Sequence, residues 1–307
     1  MKKPQCSMLF LALAATSLGL GQSANAGLTF TTTYDATVGA AAQATINNVL
    51  AGYTTTFSDN VNVSLFFKNS GMGLGTSSTY SFTREYQEFY NALVADASSA
   101  HDNTALAGLA PGGANNPVNG TNLISQGRAG WAALGINIDT SGIQNYFDGE
   151  IDLNLGIMNL DRLNIDPAKY DLQAVTQHEV NEVLGTISHV GNPTPRPIDL
   201  FRYTLAGART FTTAGDDAYF SIDGTTQLAR FNQASNGDYG DFWSAFGGNT
   251  PQVQDAFSTP GATPNMNVEL VMLDVVGWNR ITAVPEPSSL ALLSLVGGAL
   301  ATVRRRR

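Results

Sequence analysis

The chain has one cysteine, and its position limits how the protein can be stabilised. Cys6 lies in an N-terminal segment that begins with two lysines and continues as an apolar run over 8–20. A charged stretch, an apolar run and an Ala-Asn-Ala site at 24–26 predict a signal peptide over residues 1–26, with a mature chain that begins near Gly27. The exported protein then has neither a disulfide nor a thiolate metal ligand, so an apolar core has to stabilise it.

The C-terminal residues form a second processing signal. A Val-Pro-Glu-Pro motif at 284–287 precedes an apolar run at 290–303, and four arginines end the chain. The run is shorter than the roughly 17–25 residues that a membrane-spanning helix needs. Residues 284–307 closely resemble the PEP-CTERM sorting signal of Gram-negative bacteria. That resemblance implies recognition by exosortase-type sorting machinery, only transient membrane contact, and a final location in the cell envelope, at the cell surface or in the extracellular matrix.

Residues 27–283, between the two signals, are strongly acidic. The full chain has 16 basic and 25 acidic residues, and removal of both signals lowers these counts to about 10 and 24 and moves the net charge from −9 to about −14. Such a surface repels nucleic acid and anionic membranes, which argues against a polyanion-binding function. The length is sufficient for one large domain or two closely packed lobes.

Hydrophobic periodicity predicts a mixture of helices and strands. Strands are predicted at 29–34, 61–67 and 147–155, helices at 35–50, 85–96, 170–184 and 267–276, and a hairpin at 218–231. The segment 98–130 is rich in Ala, Gly, Asn and Pro and is predicted to be mostly loop. The strand at 147–155 is a candidate sheet edge, either for pairing with an extended peptide or only as an edge.

The segment with the clearest chemistry is Gln177–Gly185, QHEVNEVLG, in the predicted helix 170–184. An α-helix brings residues i and i+4 to one face, so His178 and Glu182 point the same way about one turn apart. Imidazole nitrogen and carboxylate oxygen both bind Zn²⁺ at about 2 Å. Glu179 lies beside them, as the general base does in H-E-x-x-H helices. An ordinary solvated His–Glu pair has the same spacing, so the spacing alone leaves both interpretations open.

A family resemblance favours the metal site. The motifs HEVNEVLG, IDLFRY, AYFSIDGTTQL, GDYGDFW and MLDVVGW resemble a family of exported bacterial metalloprotease-like proteins that often carry a PEP-CTERM tail. Its helix typically reads H-E-x-x-E, so Glu182 fits that family and departs from standard zincins. The resemblance implies a zincin-like α+β fold over 27–283, with a twisted mixed sheet, an active-site helix that floors a cleft, and a loop-rich C-terminal lobe. It also implies a zinc-dependent endopeptidase with ligands His178 and Glu182 and the general base Glu179.

The third metal ligand has two candidates. In metzincins a ligand falls six residues after the second one, which here is Ser188, and His189 follows directly. Asp199, in PIDLFRY, lies where other zincins place a turn beneath the metal, and we expect it to be the ligand in preference to His189. A His/Glu/Asp set suits Zn²⁺ and is also compatible with Mn²⁺ or Fe²⁺.

The residues after Asp199 have supporting roles in this hypothesis. Tyr203 is a candidate catalytic residue that stabilises an oxyanion, and a core aromatic residue explains it equally well. Arg202 is able to pair with Asp199 or Glu182, in which case the motif supports a ligand instead of supplying one.

Several loop aspartates raise the alternative of a Ca²⁺ site. They lie in glycine-containing segments, at Asp216, Asp217, Asp223, Asp238 and Asp241. Their spacing matches neither an EF-hand nor a nonapeptide repeat, so solvated turns are the preferred interpretation. Two functions therefore compete: the endopeptidase, and a non-catalytic extracellular surface or matrix protein built on a protease-like fold.

Overall fold

A computed structural model describes residues 27–109, 113–244 and 250–281, which form a mixed α+β fold. The predicted signal peptide and the C-terminal signal lie outside these residues. The strands are β1 (Thr29–Tyr34), β2 (Asn62–Asn69), β3 (Gly75–Ser78), β4 (Phe82–Glu85), β5 (Leu123–Gln126), β6 (Gly149–Leu153), β7 (Met158–Asn159), β8 (Tyr170–Asp171), β9 (Arg202–Thr204), β10 (Ala218–Phe220) and β11 (Ala229–Arg230). The α-helices are α1 (Ala40–Thr56), α2 (Tyr86–Asp96), α3 (Ala100–Gly108), α4 (Arg128–Ala133), α5 (Leu172–Asn181) and α6 (Val268–Val275).

A four-stranded sheet supports the candidate site. Its order is β1-β2-β6-β3, with β1, β2 and β6 parallel and β3 antiparallel to β6. In the two central strands, β2 and β6, alternate residues are buried while the residues between them are mostly partly exposed, so one face of the centre of the sheet packs on the core. The predicted edge strand at 147–155 is in fact interior, as β6, because β3 pairs beyond it. The GTSS sequence of β3 gave no strand signal.

Helix α1 begins five residues later and ends six residues later than the predicted helix 35–50. Its buried face continues through Val49 and Leu50 to Tyr53, which is fully buried. The hydroxyl of Tyr53 donates to the side-chain oxygen of Asn181 at 2.6 Å. This packing keeps the Gly-Tyr-Thr-Thr-Thr end helical although its intrinsic helix propensity is low.

Helix α5 has a defined start and a distorted end. Asp171 caps it by accepting a hydrogen bond from the Ala174 backbone N–H. A single π-turn at Glu182–Thr186 follows, and within it Gly185 has φ of +136°. The indole N–H of Trp278 donates to the Leu184 carbonyl oxygen at 2.8 Å, so the C-terminal segment holds this turn. Such π-turns are frequent at functional sites.

The prediction that 98–130 is mostly loop is wrong in part. Helix α3 begins there because Ser99 and Asp102 form a reciprocal capping box. Strand β5 pairs with β4, and α4 follows it. The predicted hairpin at 218–231 is present as β10 and β11, and β9 extends that small sheet. No helix in the described parts of the chain is long and apolar enough to cross a membrane.

Candidate metal centre

Helix α5 and one later loop bring three ligand-type side chains together. His178, Glu182 and Asp241 each offer a nitrogen or oxygen atom, and these atoms lie within 4.8 Å of one another. His178 Nε2 is 3.7 Å from Glu182 Oε1 and 3.4 Å from Asp241 Oδ1. Two ligands of a tetrahedral ion, each about 2.1 Å from it, lie about 3.4 Å apart, so the spacing fits Zn²⁺. Among the described residues this is the one group of three with such geometry.

The orientation of His178 is fixed by the segment opposite α5. Its Nδ1 lies 3.0 Å from the Val253 carbonyl oxygen, which only accepts. Nδ1 therefore carries a proton, and Nε2 is the ring nitrogen that faces Glu182 and Asp241 and would bind a metal once it is deprotonated. A metal-binding histidine needs a suitable distance to the other ligands and a fixed ring orientation, and His178 has both.

Glu182 is oriented from the edge strand. The Ser77 hydroxyl on β3 donates to Glu182 Oε2 at 2.6 Å. The other oxygen, Oε1, faces His178. Ser77 therefore holds one carboxylate oxygen and leaves the other at the shared centre.

Asp241 is the third member, and sequence reasoning placed it only among the loop aspartates of the Ca²⁺ alternative. It is buried, and its Oδ1 accepts a hydrogen bond from Gln254 Nε2 at 3.0 Å. The preceding residue, Gly240, packs against the backbone that follows α5. A Cβ at position 240 would overlap the Thr186 carbonyl oxygen and lie 2.8 Å from the Ser188 nitrogen. The glycine thus lets the loop approach α5 closely enough for Asp241 to reach His178.

Glu179 lies beside these three side chains in a restricted position. It is buried, and a Cβ at Gly75 would overlap its Oε1. Burial, reinforced by the nearby Glu182 carboxylate, raises the pKa of Glu179 well above its usual range. A carboxylate with a raised pKa next to such a cluster is more basic than an ordinary glutamate and is suited to accept and return a proton.

The charge balance of the cluster favours a cation. Burial lowers the pKa of His178, but Asp241, Glu182 and Glu179 outweigh it and raise that pKa well above the usual value. Burial also raises the pKa of Asp241 to about 8. Protons on His178, Glu179 and Asp241 therefore compensate the buried carboxylates of the metal-free cluster. A divalent ion would displace these protons and take over the compensation, so the donor set fits Zn²⁺.

The cluster opens into a cavity of about 400 Å³. Strand β3, α5 and the loops at 236–241 and 255–258 line it. Its carboxylates are Glu179, Glu182, Asp238, Asp241 and Asp255, and no Lys or Arg is among the described lining residues. The cavity therefore favours cationic or neutral groups over anionic ones.

Asp199, the expected third ligand, lies outside the cluster. It is in a 3₁₀ turn, Pro197–Phe201, and is buried. Its Oδ1 accepts from the Ser188 hydroxyl at 2.6 Å, and its Oδ2 accepts from the backbone N–H groups of His189 (3.0 Å) and Arg196 (2.7 Å). Asp199 thus fastens the segment after α5 to this turn, and the structure corrects its assignment as a ligand.

His189, the second candidate, is also separate from the cluster. Its Nδ1 lies 3.1 Å from the Thr194 carbonyl oxygen, and its Nε2 accepts from Arg196 Nε at 3.0 Å. Both ring nitrogens are occupied, so neither is free for a metal. This assignment is corrected as well.

Tyr203 is not at the cavity either. It is buried in β9, and the Arg209 guanidinium lies over its ring at 4.8 Å. The neighbouring Arg202 donates to the Tyr239 carbonyl oxygen at 2.8 Å. These contacts favour the core interpretation of Tyr203, and the oxyanion role is not supported by its position.

The other loop aspartates serve separate contacts. Asp223 accepts hydrogen bonds from Thr225 and Thr226, which lower its pKa and form a turn. Asp217 pairs with Arg230 at 2.5 Å. Asp238 lines the cavity without belonging to the ligand group.

Comparison with known proteins identifies the C-terminal segment. Residues 283–307 match the family model of the PEP-CTERM protein-sorting motif. No curated protein and no solved structure matches the chain. The predicted sorting signal is confirmed, whereas the metalloprotease family and the zincin-like fold stay predictions. The motif is a sorting signal recognised by exosortase-type machinery, and the chain is therefore an exported PEP-CTERM protein.

Proposed function

We propose that this protein is a zinc-dependent endopeptidase with ligands His178, Glu182 and Asp241 and the general base Glu179. One observation carries the proposal: three ligand atoms converge within 4.8 Å beside a buried glutamate at the end of a cavity. His178 Nε2 and the Glu182 oxygen that faces it are held 3.7 Å apart by separate partners, which supports a metal-binding function over a plain ion pair.

The chemistry divides between the metal and the chain. A bound Zn²⁺ supplies Lewis acidity, which acidifies water and polarises a peptide carbonyl. Glu179 accepts the proton of the attacking water and donates it to the leaving amine. Ser77 and the Val253 carbonyl hold Glu182 and His178 in orientation during this cycle. Tyr203 lies away from the cavity and has no part in this chemistry.

The edge strand suggests how a peptide is held. Strand β3 is at the end of the sheet order, and Gly75, Thr76 and Ser77 line the cavity. An extended peptide is able to pair with free backbone groups of such a strand. This arrangement, an edge strand above a metal-binding helix, supports the zincin-like part of the proposal. The sorting motif supports action in the envelope, at the surface or in the matrix of a Gram-negative bacterium.

The experiment combines metal content with cleavage. The exported chain, expressed with its own terminal signals, should carry close to one zinc by mass spectrometry, and Glu182→Ala should lose it. Glu179→Gln should keep zinc and cleave casein about 10²–10⁴-fold more slowly, because only the proton transfer is removed. Glu150→Gln, which alters a half-exposed carboxylate paired with Lys68, is the matched control and should cleave normally.

Two results would reject this function. Wild-type protein without zinc would leave α5 as a charged helix, and the non-catalytic surface or matrix protein would become the better interpretation. Equal cleavage by wild type and Glu179→Gln, with zinc present in both, would remove Glu179 from the chemistry.

A further inference from the structure

We infer that Gln254 is a positioning residue that sets the distance between Asp241 and helix α5, and this inference rests on the proposed metal centre. Asp241 is the one proposed ligand of the three that comes neither from α5 nor from the π-turn that continues it. Its loop therefore needs a connection to the helix that fixes its separation from His178 and Glu182. A chain of hydrogen bonds through Gln254 supplies that connection.

The hydrogen bonds run in one direction across the core. The Tyr53 hydroxyl donates to Asn181 Oδ1 (2.6 Å), Asn181 Nδ2 donates to Gln254 Oε1 (3.2 Å), and Gln254 Nε2 donates to Asp241 Oδ1 (3.0 Å). Tyr53, Asn181 and Gln254 are fully buried. Because Asn181 is the last residue of α5, this series of hydrogen bonds connects the helix to Asp241.

The direction in which these hydrogen bonds are donated matters for metal binding. A carboxylate that binds a metal only accepts hydrogen bonds, and Gln254 presents an N–H to it. If both amides were reversed, Gln254 would present its carbonyl oxygen to Asp241 and repel the carboxylate. Each amide has a partner at both ends, so one reversed amide would leave two buried groups unsatisfied, at about 1–3 kcal/mol each.

Gln254 is itself held on both sides. Its backbone N–H donates to Glu269 Oε1 of α6 at 3.0 Å, and its carbonyl accepts from the Phe242 N–H at 2.7 Å. The residue before it, Val253, provides the carbonyl that orients His178. Two adjacent residues therefore position two of the three ligands, one through a main-chain group and the other through a side chain.

The test measures metal affinity separately from folding. In the full-length exported chain, Gln254→Leu removes the N–H donor at similar volume. We expect its zinc Kd to rise about 10–100-fold, the usual effect of losing a group that orients a ligand. Substituted Co²⁺ should also show a changed visible absorption band, which a merely structural role would not alter.

A second variant guards against misfolding. Gln254→Leu leaves the Asn181 amide unpaired, so the double variant Asn181→Leu/Gln254→Leu removes both polar groups and should unfold, without metal, close to the wild-type temperature. Its zinc affinity should stay as low as that of the single variant. Tyr53→Phe, at the far end, leaves the Gln254–Asp241 bond intact and should change Kd less than about threefold, within the cost of one remote hydrogen bond.

The outcomes separate the inference from the proposed function. Wild-type zinc affinity and an unchanged Co²⁺ spectrum in both Gln254 variants would overturn the role of Gln254 and leave the metal centre in place. No zinc in the wild type would overturn both.

Discussion

Two buried aspartates follow α5 in the chain, Asp199 in the 3₁₀ turn and Asp241 in the loop that approaches the helix. Asp199 accepts three hydrogen bonds from neighbours close in sequence. Asp241 accepts one side-chain hydrogen bond and otherwise faces His178. The first carboxylate is satisfied by the protein, whereas the second still has acceptor capacity directed at an imidazole and a cavity.

The comparison gives a criterion for buried acids. A carboxylate surrounded by N–H and O–H donors organises a turn, and its removal leaves those donors unpaired. A carboxylate with few donors, close to other acids and to a histidine, is incompletely compensated and suited to bind a cation. The number of hydrogen-bond donors around a buried acid is therefore a better guide to metal binding than its closeness in sequence to the H-E-x-x-E helix.

The largest expected effect is on metal binding by Asp241→Ala. Loss of a ligand should weaken zinc binding by more than about 100-fold, because residues that merely orient ligands already contribute about 10–100-fold. Zinc Kd by competition with a chelator is the measurement. Asp238→Ala is the control, since Asp238 is in the same loop and lines the same cavity outside the ligand group. Equal Kd values for the two variants would mean that Asp241 is not a ligand and would remove its contrast with Asp199.

Asp199→Ala should affect folding instead of metal binding. The Ser188 hydroxyl and the buried backbone N–H groups of His189 and Arg196 lose their acceptor, so the free energy of unfolding should fall by about 3 kcal/mol. Urea unfolding of the metal-free protein measures this change, and zinc per folded molecule should remain at the wild-type level. A stable Asp199→Ala protein without zinc would restore Asp199 as the ligand.

Local patterns predict the part of the site that one helix supplies. His178 and Glu179 lie in α5, and Glu182 follows its last residue with helical backbone angles, so the relative positions of the three follow from the helical repeat alone. The helix itself was predictable from its apolar spacing. The sequence also has a glycine at the end of this segment, Gly185, which adopts the positive φ that glycine tolerates.

Other parts of the site depend on contacts distant in sequence. Strand β3 has small polar residues and becomes a strand only because it pairs with β6, so Ser77 gave no signal. Asp241 reaches the cluster because Gly240 permits close backbone approach and Gln254 donates to it. The motif GDYGD was noted in the sequence, but its two glycines and two aspartates looked like ordinary turn residues.

The smallest expected effect concerns a third buried aspartate, outside the site, which tests the same relation between burial and the supply of hydrogen-bond donors. Asp59 accepts the backbone N–H of Asn279 at 2.9 Å and its side-chain amide at 3.3 Å. These donors do not compensate for burial, which raises the pKa of Asp59 to about 6, and Asp96 nearby adds to the effect. The ordinary pKa of aspartate is about 4. The folded state therefore binds this proton more tightly, and the stabilisation is present below about pH 4 and lost as pH rises through about 6.

The Asp59→Asn variant has no titratable group at this position, so its free energy of unfolding should rise relative to that of the wild type as pH rises. Between pH 4.5 and 7 the difference in unfolding free energy should move in favour of the variant by about 2 kcal/mol, as measured by urea unfolding of the metal-free proteins. Asp139→Asn is the control, because the Ser141 hydrogen bonds lower the pKa of Asp139 and keep it ionised across this range. Parallel curves for wild type and Asp59→Asn would mean that two donors suffice for a buried carboxylate, and the contrast between Asp199 and Asp241 would then need a cause other than donor supply.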